Sequence, residues 1–290
     1  MCTVSFLPSP QGFYLAMNRD EKRDRFAALP PEIVEFENHR VLFPREPTGG
    51  TWISANDAGV CLALINWHRI AEPAFGGQLL PQKRNRSNAI ETRSSWATQP
   101  VETTGCPSGA KRVEREPNNG VRSRGEVIRK LAGISTSDEI STAVKKLPLR
   151  KLRPFRLVAI VSAENRVIEW RWNLNRLSVR KHSWESRHWF SSSFDEATAE
   201  AKRTRVCAAQ PDESDKQDVK WLRRLHRSHE PERGPFSICM HRPTAATVSY
   251  TEVAVGGRSV VMCYKDGPPC SRRSTTTKTC KLSRVRTTNR

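Results

Sequence analysis

The sequence predicts an α+β sandwich whose sheets are covered by helices, and three observations carry that expectation. Apolar segments of strand length come in pairs around tight turns, at 2–7 with 13–17, at 155–162 with 167–172 and at 246–255 with 260–264. Helical periodicity is concentrated in the middle of the chain, between those pairs. Val60 to Trp67 is almost continuously apolar, the pattern of a strand covered on both faces.

Taken in order, residues 2–7 read as a strand, Pro8 to Gly12 as a turn and Phe13 to Met17 as the returning strand. Glu21 to Arg25 is a charged loop that runs into Pro30-Pro31. Val41-Leu42-Phe43-Pro44 is short and extended. Gly49-Gly50 turns the chain into a strand at Thr51-Trp52-Ile53-Ser54, and Asn56-Asp57-Ala58-Gly59 turns it again into the 60–67 strand.

From Pro73 to about Arg122 the periodicity disappears, and this stretch is expected to be an irregular insertion. Order returns at Ser123-Arg124-Gly125-Glu126, which has the spacing of a capping box, followed by a short helix that stops at Gly133. Thr136-Ser137-Asp138-Glu139 opens a second helix with Ile140, Ala143, Val144 and Leu147 on one face. The 155–162 and 167–172 hairpin follows, then an extended stretch near 187–194 and a helix at 196–205. Val219 to His229 is read as a helix with Trp221, Leu222 and Leu225 inward. Phe236 to Met240 and 246–255 are read as a strand pair, and 260–264 as the last strand. The expected organisation is one domain over 1–264, interrupted at 73–122, with a basic disordered tail at 265–290.

The net charge of +19 and the pI near 10.2 point at first to nucleic acid. The charge is uneven, however. Residues 73–125 hold nine Lys/Arg against four Asp/Glu, and residues 265–290 hold eight against one, so these two stretches carry twelve of the nineteen net charges. Nucleic acid is therefore not the expected partner. Leu7-Pro8-Ser9-Pro10 interrupts any apolar leader and no long apolar run follows, so no membrane span is expected. Eight cysteines without a CxxC fit a reducing, cytoplasmic setting. Cys61 and Cys239 are read as core residues.

The first residues carry the chemistry. If Met1 is removed, Cys2 offers a thiol and, on the same Cα, an α-amine to act as its base. The hairpin returns Asn18-Arg19-Asp20-Glu21 beside it. Four motifs occur in order: Met1-Cys2, Asn18-Arg19-Asp20-Glu21, Gly49-Gly50-Thr51-Trp52 and Gly59-Val60-Cys61-Leu62-Ala63-Leu64-Ile65-Asn66-Trp67. Together they resemble the NRDE family, which includes the homologues of transport and Golgi organisation protein 2. The match is densest over 1–70 and looser over 123–264.

That family in turn resembles the N-terminal nucleophile hydrolases, similar to the cysteine acylases that cleave penicillin V and conjugated bile salts. The resemblance implies a four-layer αββα sandwich and hydrolysis of a linear, non-peptide C–N amide in a small-molecule substrate, without a cofactor. It implies that Cys2 attacks the carbonyl, that Arg19 steadies the thiolate and that Asp20 orients the α-ammonium. Asn66, with the following backbone N–H, would supply an oxyanion hole, a donor worth roughly 3–4 kcal/mol. The plain alternatives are a cysteine that merely follows the start codon, a surface arginine, a turn aspartate and a strand-end amide.

Two supports of the acylase pattern are missing. The acylases place an asparagine where this chain has Phe190-Ser191-Ser192-Ser193, and an arginine where it has Gly234-Pro235-Phe236; Arg233 and Arg242 are near but out of register. A catalytically inactive binding or scaffold protein on the same fold is the alternative reading. His226, His229, Cys239 and His241 have the residue types of a zinc site, but their spacing is not diagnostic and no metal is assigned.

Overall fold

The computed structural model describes residues 2–36, 38–68, 122–209 and 218–283. The expected insertion at 73–122 lies outside these residues, except for Arg122.

In chain order the elements are β1 (Cys2–Ser9), β2 (Gly12–Lys22), β3 (Leu29–Phe36), β4 (His39–Arg45), β5 (Ile53–Asn56) and β6 (Val60–Asn66). Two helices follow, α1 (Gly125–Leu131) and α2 (Ser137–Lys145), and then β7 (Phe155–Val161), β8 (Arg166–Trp172), β9 (Leu177–His182) and β10 (Arg187–Ser191). The chain ends with α3 (Glu196–Ala208), α4 (Val219–Arg227), β11 (Ala245–Gly256), β12 (Ser259–Asp266) and β13 (Thr275–Lys281).

The strands form two antiparallel sheets. One runs β10-β1-β2-β11-β12-β13 and the other β3-β4-β5-β6-β7-β8-β9. Between them lies a core to which β1 gives Val4 and Phe6 and β2 gives Phe13, Leu15 and Met17, packed against Leu42, Ile53, Ala63 and Val158 of the facing sheet. The alternate residues of the same hairpin, Leu7 and Ala16, face outward into a second cluster with Cys207 of α3 and with Trp221, Leu222 and Leu225 of α4. On the far side, α1 and α2 bury Val127, Ile128, Leu131, Ile140 and Val144 against Leu62, Leu64 and Leu157. The described residues form an αββα sandwich. Each buried large apolar side chain contributes roughly 1.5–3 kcal/mol, so β1 and β2, buried on both faces, are held in register from both sides.

Two glycines are required by close approach. Gly12 sits at φ +150°, and a Cβ there would lie 2.1 Å from the Val255 carbonyl oxygen, which lets the β1–β2 turn close against β11. Gly125 begins α1 directly over the Gly49-Gly50-Thr51 turn; a Cβ would fall 2.8 Å from the Gly50 Cα and 2.9 Å from the Thr51 nitrogen. The glycine motif and the start of the helix are two halves of one contact.

Several local expectations are corrected. Residues 236–240 are irregular and do not form a strand. Their polar backbone groups are met by side chains instead: Asn18 Nδ2 donates to the Ile238 carbonyl at 2.9 Å, Arg203 Nε to the Phe236 carbonyl at 3.3 Å and Ser237 Oγ to the Cys239 carbonyl at 2.7 Å. The tail expected to be disordered contains β13, which pairs with β12 from Ser259↔Lys281 to Lys265↔Thr275. Its Thr-rich sequence suits an edge strand, where only Cys280 is buried. Pro30-Pro31, into which the charged loop runs, lies in edge strand β3, where a missing N–H is tolerated. The capping box at 123–126 is half formed, since Ser123 Oγ accepts from the Gly125 N–H while Arg124 occupies the cap position. At α2 Thr136 caps the helix, its hydroxyl accepting from the Glu139 N–H and donating to the Glu139 carboxylate.

Candidate active site

Cys2 opens β1, an inner strand, and is buried. Its Cα partners are Arg19 on β2 and Ser191 on β10. Directly opposed residues of an antiparallel pair point to the same face, so Cys2 and Arg19 both face the inter-sheet space and Asp20 faces away from it.

Arg19 is sandwiched there. Its guanidinium carbon lies 4.3 Å from the Trp52 ring centroid, and Nη2 donates to Glu46 Oε1 at 2.5 Å. Glu46 also receives Arg25 Nη2 at 2.9 Å on each oxygen. Stacking on an aromatic face and a carboxylate on the free edge fix the planar group in one pose.

On the opposite face, Asp20 accepts from Thr247 Oγ1 at 2.6 Å and from Arg203 Nη2 at 3.4 Å. Arg203, on α3, has no exposed surface; its Nη1 also donates to Thr3 Oγ1 at 3.0 Å and to the Cys2 carbonyl at 3.5 Å. The sequence reading missed Arg203. A signal was present, because Glu196, Ala199, Arg203 and Cys207 fall on one helix face and all four are buried, which puts an arginine where an apolar residue belongs.

The Cys2 thiol is held above its usual range. Burial is the largest cause; Asp20 adds to it, while the N-terminal charge, Arg19 and the Asp20 backbone N–H oppose it. The structure therefore groups Cys2, Arg19 and Asp20 at one end of the β1–β2 hairpin. Asn66 ends β6 on the facing sheet and is half buried; among the described residues no hydrogen bond joins its side chain to the other three. The alternate-face neighbour, Asn18, is fully committed elsewhere. Its Nδ2 donates to the carbonyls of His226 and Ile238, both at 2.9 Å, and its Oδ1 lies 3.0 Å from His226 Nδ1.

The late serines take separate places. Ser191 is buried opposite Cys2 with no partner for its hydroxyl among the described residues, and Ser192 Oγ accepts from the Phe194 and Asp195 N–H groups. Arg242 stacks on Phe194 at 4.8 Å. Arg233 borders a cavity of about 420 Å³ whose walls include Arg19, Arg23, Arg25, Thr247, Tyr264 and Arg273. Five arginines line it, of which Arg19 and Arg25 are paired with Glu46 and Arg273 with Asp266, so the lining is positive on balance. Cys2 is not part of that lining. Arg19 is the residue common to the cavity and to the cysteine.

No helix among the described residues is long and apolar enough to cross a membrane. No family profile matches the sequence, and no curated protein matches it. Solved structures similar to the chain include penicillin V acylase from Agrobacterium tumefaciens, at 9% identity and a TM-score of 0.48 over 92% of this chain and 83% of that one. The conjugated bile acid hydrolase of Clostridium perfringens is similar at 10% identity and a TM-score of 0.43 in two forms. One is a cysteine-to-alanine mutant (96% of each chain) and the other an arginine-to-leucine variant (97% of this chain, 98% of that one).

Proposed function

We propose that the chain is an NRDE-type N-terminal cysteine nucleophile hydrolase that cleaves a linear, non-peptide C–N amide. The observation that carries this reading is the cross-strand pair Cys2↔Arg19, with Asp20 next in sequence and anchored by Thr247 and Arg203. In the proposed chemistry, removal of Met1 places the α-amine on Cys2, where it takes the thiol proton. The thiolate attacks the amide carbonyl, the same amine protonates the departing nitrogen, and water then releases the acyl group from sulfur. Arg19, fixed against Trp52 and Glu46, opposes the burial that disfavours the thiolate. Asn66 is the proposed oxyanion donor. The arginine-lined cavity favours a substrate that carries an anionic group on the side nearest Arg19.

Intact-mass measurement of the purified protein tests the first step: loss of the Met1 mass is expected, and quantitative retention of Met1 sinks the mechanism. A thiol-reactive amide mimic should label the wild type and not Cys2→Ala; equal labelling of the two removes the case for a special Cys2.

A second reading, a binding or scaffold protein on the same fold, is favoured by one observation. The position opposite Cys2 on β10 is Ser191, where the acylases carry an asparagine nearby. A Cys2→Ser variant that keeps the cellular function would decide for it.

A further inference from the structure

Four side chains from two loops, the α4–β11 connection and the turn after β12, converge beside the start of β11. His229 lies just past α4, Cys239 and His241 lie in the irregular segment before β11, and Cys270 lies in the turn after β12. One potential ligand atom from each falls within 4.8 Å of all the others. His241 Nε2 is 3.2 Å from His229 Nε2, 3.6 Å from Cys239 Sγ and 3.5 Å from Cys270 Sγ. In a tetrahedral zinc site with Zn–S near 2.3 Å and Zn–N near 2.0–2.1 Å, neighbouring ligand atoms lie about 3.3–3.8 Å apart. The two sulfur distances from His241 fall within that range and the nitrogen distance lies just below it. The Nε2 atoms of His229 and His241 face each other, and each, without its proton, offers a lone pair to an ion held between them.

We propose that His229, Cys239, His241 and Cys270 form a structural Cys2His2 site for a zinc ion. The sequence reading grouped His226 with these residues and assigned no metal. His226 is instead buried against Asn18 and Ser5, and Cys270, distant in sequence, takes the fourth position. Binding displaces two thiol protons, so two thiolates and two neutral imidazoles balance the dication with no redox change. Thiolate and imidazole ligands select zinc over calcium or magnesium, which prefer oxygen. Four protein ligands leave no open position, so the ion fastens loops and does no chemistry itself.

The loops it fastens matter to the candidate active site. Met240, between two of the ligands, donates its N–H to Thr247 Oγ1 at 2.9 Å and accepts from the Thr247 N–H at 2.9 Å; the same hydroxyl donates to Asp20. His241 also borders the arginine-lined cavity. The ion would therefore hold the support of Asp20 in place. The site stands on its own geometry, whether or not Cys2 is a nucleophile.

The test uses the full chain purified under reducing conditions with zinc present and then freed of unbound metal by gel filtration. About one zinc per chain is expected by elemental analysis, and cobalt exchanged into the site should show thiolate charge-transfer and tetrahedral d–d bands. The double variant His229→Ala/Cys270→Ser should lose both, while Cys263→Ser, outside the cluster, keeps them. If the double variant fails to fold, alkylation of the wild type decides. Zinc should protect Cys239 and Cys270, a chelator should expose them, and Cys263 should react equally in both conditions. Metal-free wild type, undiminished metal in the folded double variant, or a Cys239–Cys270 disulfide in place of metal would each overturn the proposal.

Discussion

Arg203 and Asp20 form an ion pair in which neither side chain has any exposed surface, with Nη2 3.4 Å from Oδ2. Desolvating both charges costs more than a lone pair returns, so the pair persists through its other bonds: Thr3 and the Cys2 and Phe236 carbonyls on the arginine, Thr247 on the aspartate. The pair joins α3 to β2, and the bond from Arg203 Nη1 to the Cys2 carbonyl joins α3 to β1 at the residue proposed as nucleophile.

Removing one partner leaves the other buried without the opposite charge. Arg203→Met is expected to cost about 3–5 kcal/mol in denaturant unfolding. Adding Asp20→Asn to Arg203→Met should recover part of that loss, because the orphaned charge is then gone. A single-variant cost below ~1 kcal/mol would show that the pair does not hold α3.

A second network links β1, β2, β10 and α4. His226 Nδ1 lies 3.0 Å from Asn18 Oδ1, an acceptor only, so Nδ1 carries the proton and Nε2 must accept from Ser5 Oγ at 2.9 Å. Ser5 Oγ then accepts from His188 Nδ1 at 2.8 Å. Both imidazoles are neutral. Burial, with His188 and Arg203 nearby, pushes His226 down to about 3; burial, with Arg187, pushes His188 down to about 4.

The sign follows from proton counting. Between about 3 and the unfolded value near 6.5, the unfolded chain binds a proton that the native His226 does not, so stability is full above pH ~6.5 and falls as pH drops through this window. The limit for this one group is about 5 kcal/mol. Glu169 weakens the fold in acid too. Burial would raise its pKa, but Arg171 and Arg156 hold it at about 2, so its contribution is present above about 4.5 and is lost below that. Comparing melting temperatures between pH 7 and 5 separates the two. His226→Gln is expected to be less stable at pH 7 but to have a flatter slope over that range. Parallel curves would remove His226 as the cause.

Gly125→Ala should destabilise, although alanine is ordinarily the better helix former by ~1 kcal/mol. The added methyl meets backbone, at 2.8 Å from the Gly50 Cα, and backbone cannot rotate aside. A lower melting temperature is expected; a higher one would mean that α1 shifts freely off the glycine turn.

The elements legible in the sequence were those with a strong local signal. The β1–β2 and β7–β8 hairpins, the doubly covered β6 and the Thr136-capped α2 follow from apolar period, turn residues and a cap, each of which acts over a few neighbours. The edge strands β3, β9 and β13 were not legible. Their side chains are mostly exposed, so burial leaves no alternation in them, and they exist because a neighbouring strand offers its backbone. Residues 236–240 show the reverse case, an apolar run whose backbone is bonded by Asn18, Ser237 and Arg203.

The same division runs through the sites. By itself the sequence determined that Cys2 begins a strand and that Arg19 and Asp20 return beside it, because a short hairpin fixes its own register. Only the tertiary structure decided that Arg203 stands behind Asp20, that Trp52 and Glu46 clamp Arg19, and that Cys270 replaces His226 among the clustered metal-ligand types. Those partners are separated by tens to hundreds of residues. Their meeting depends on how sheets and helices pack, which no local pattern encodes.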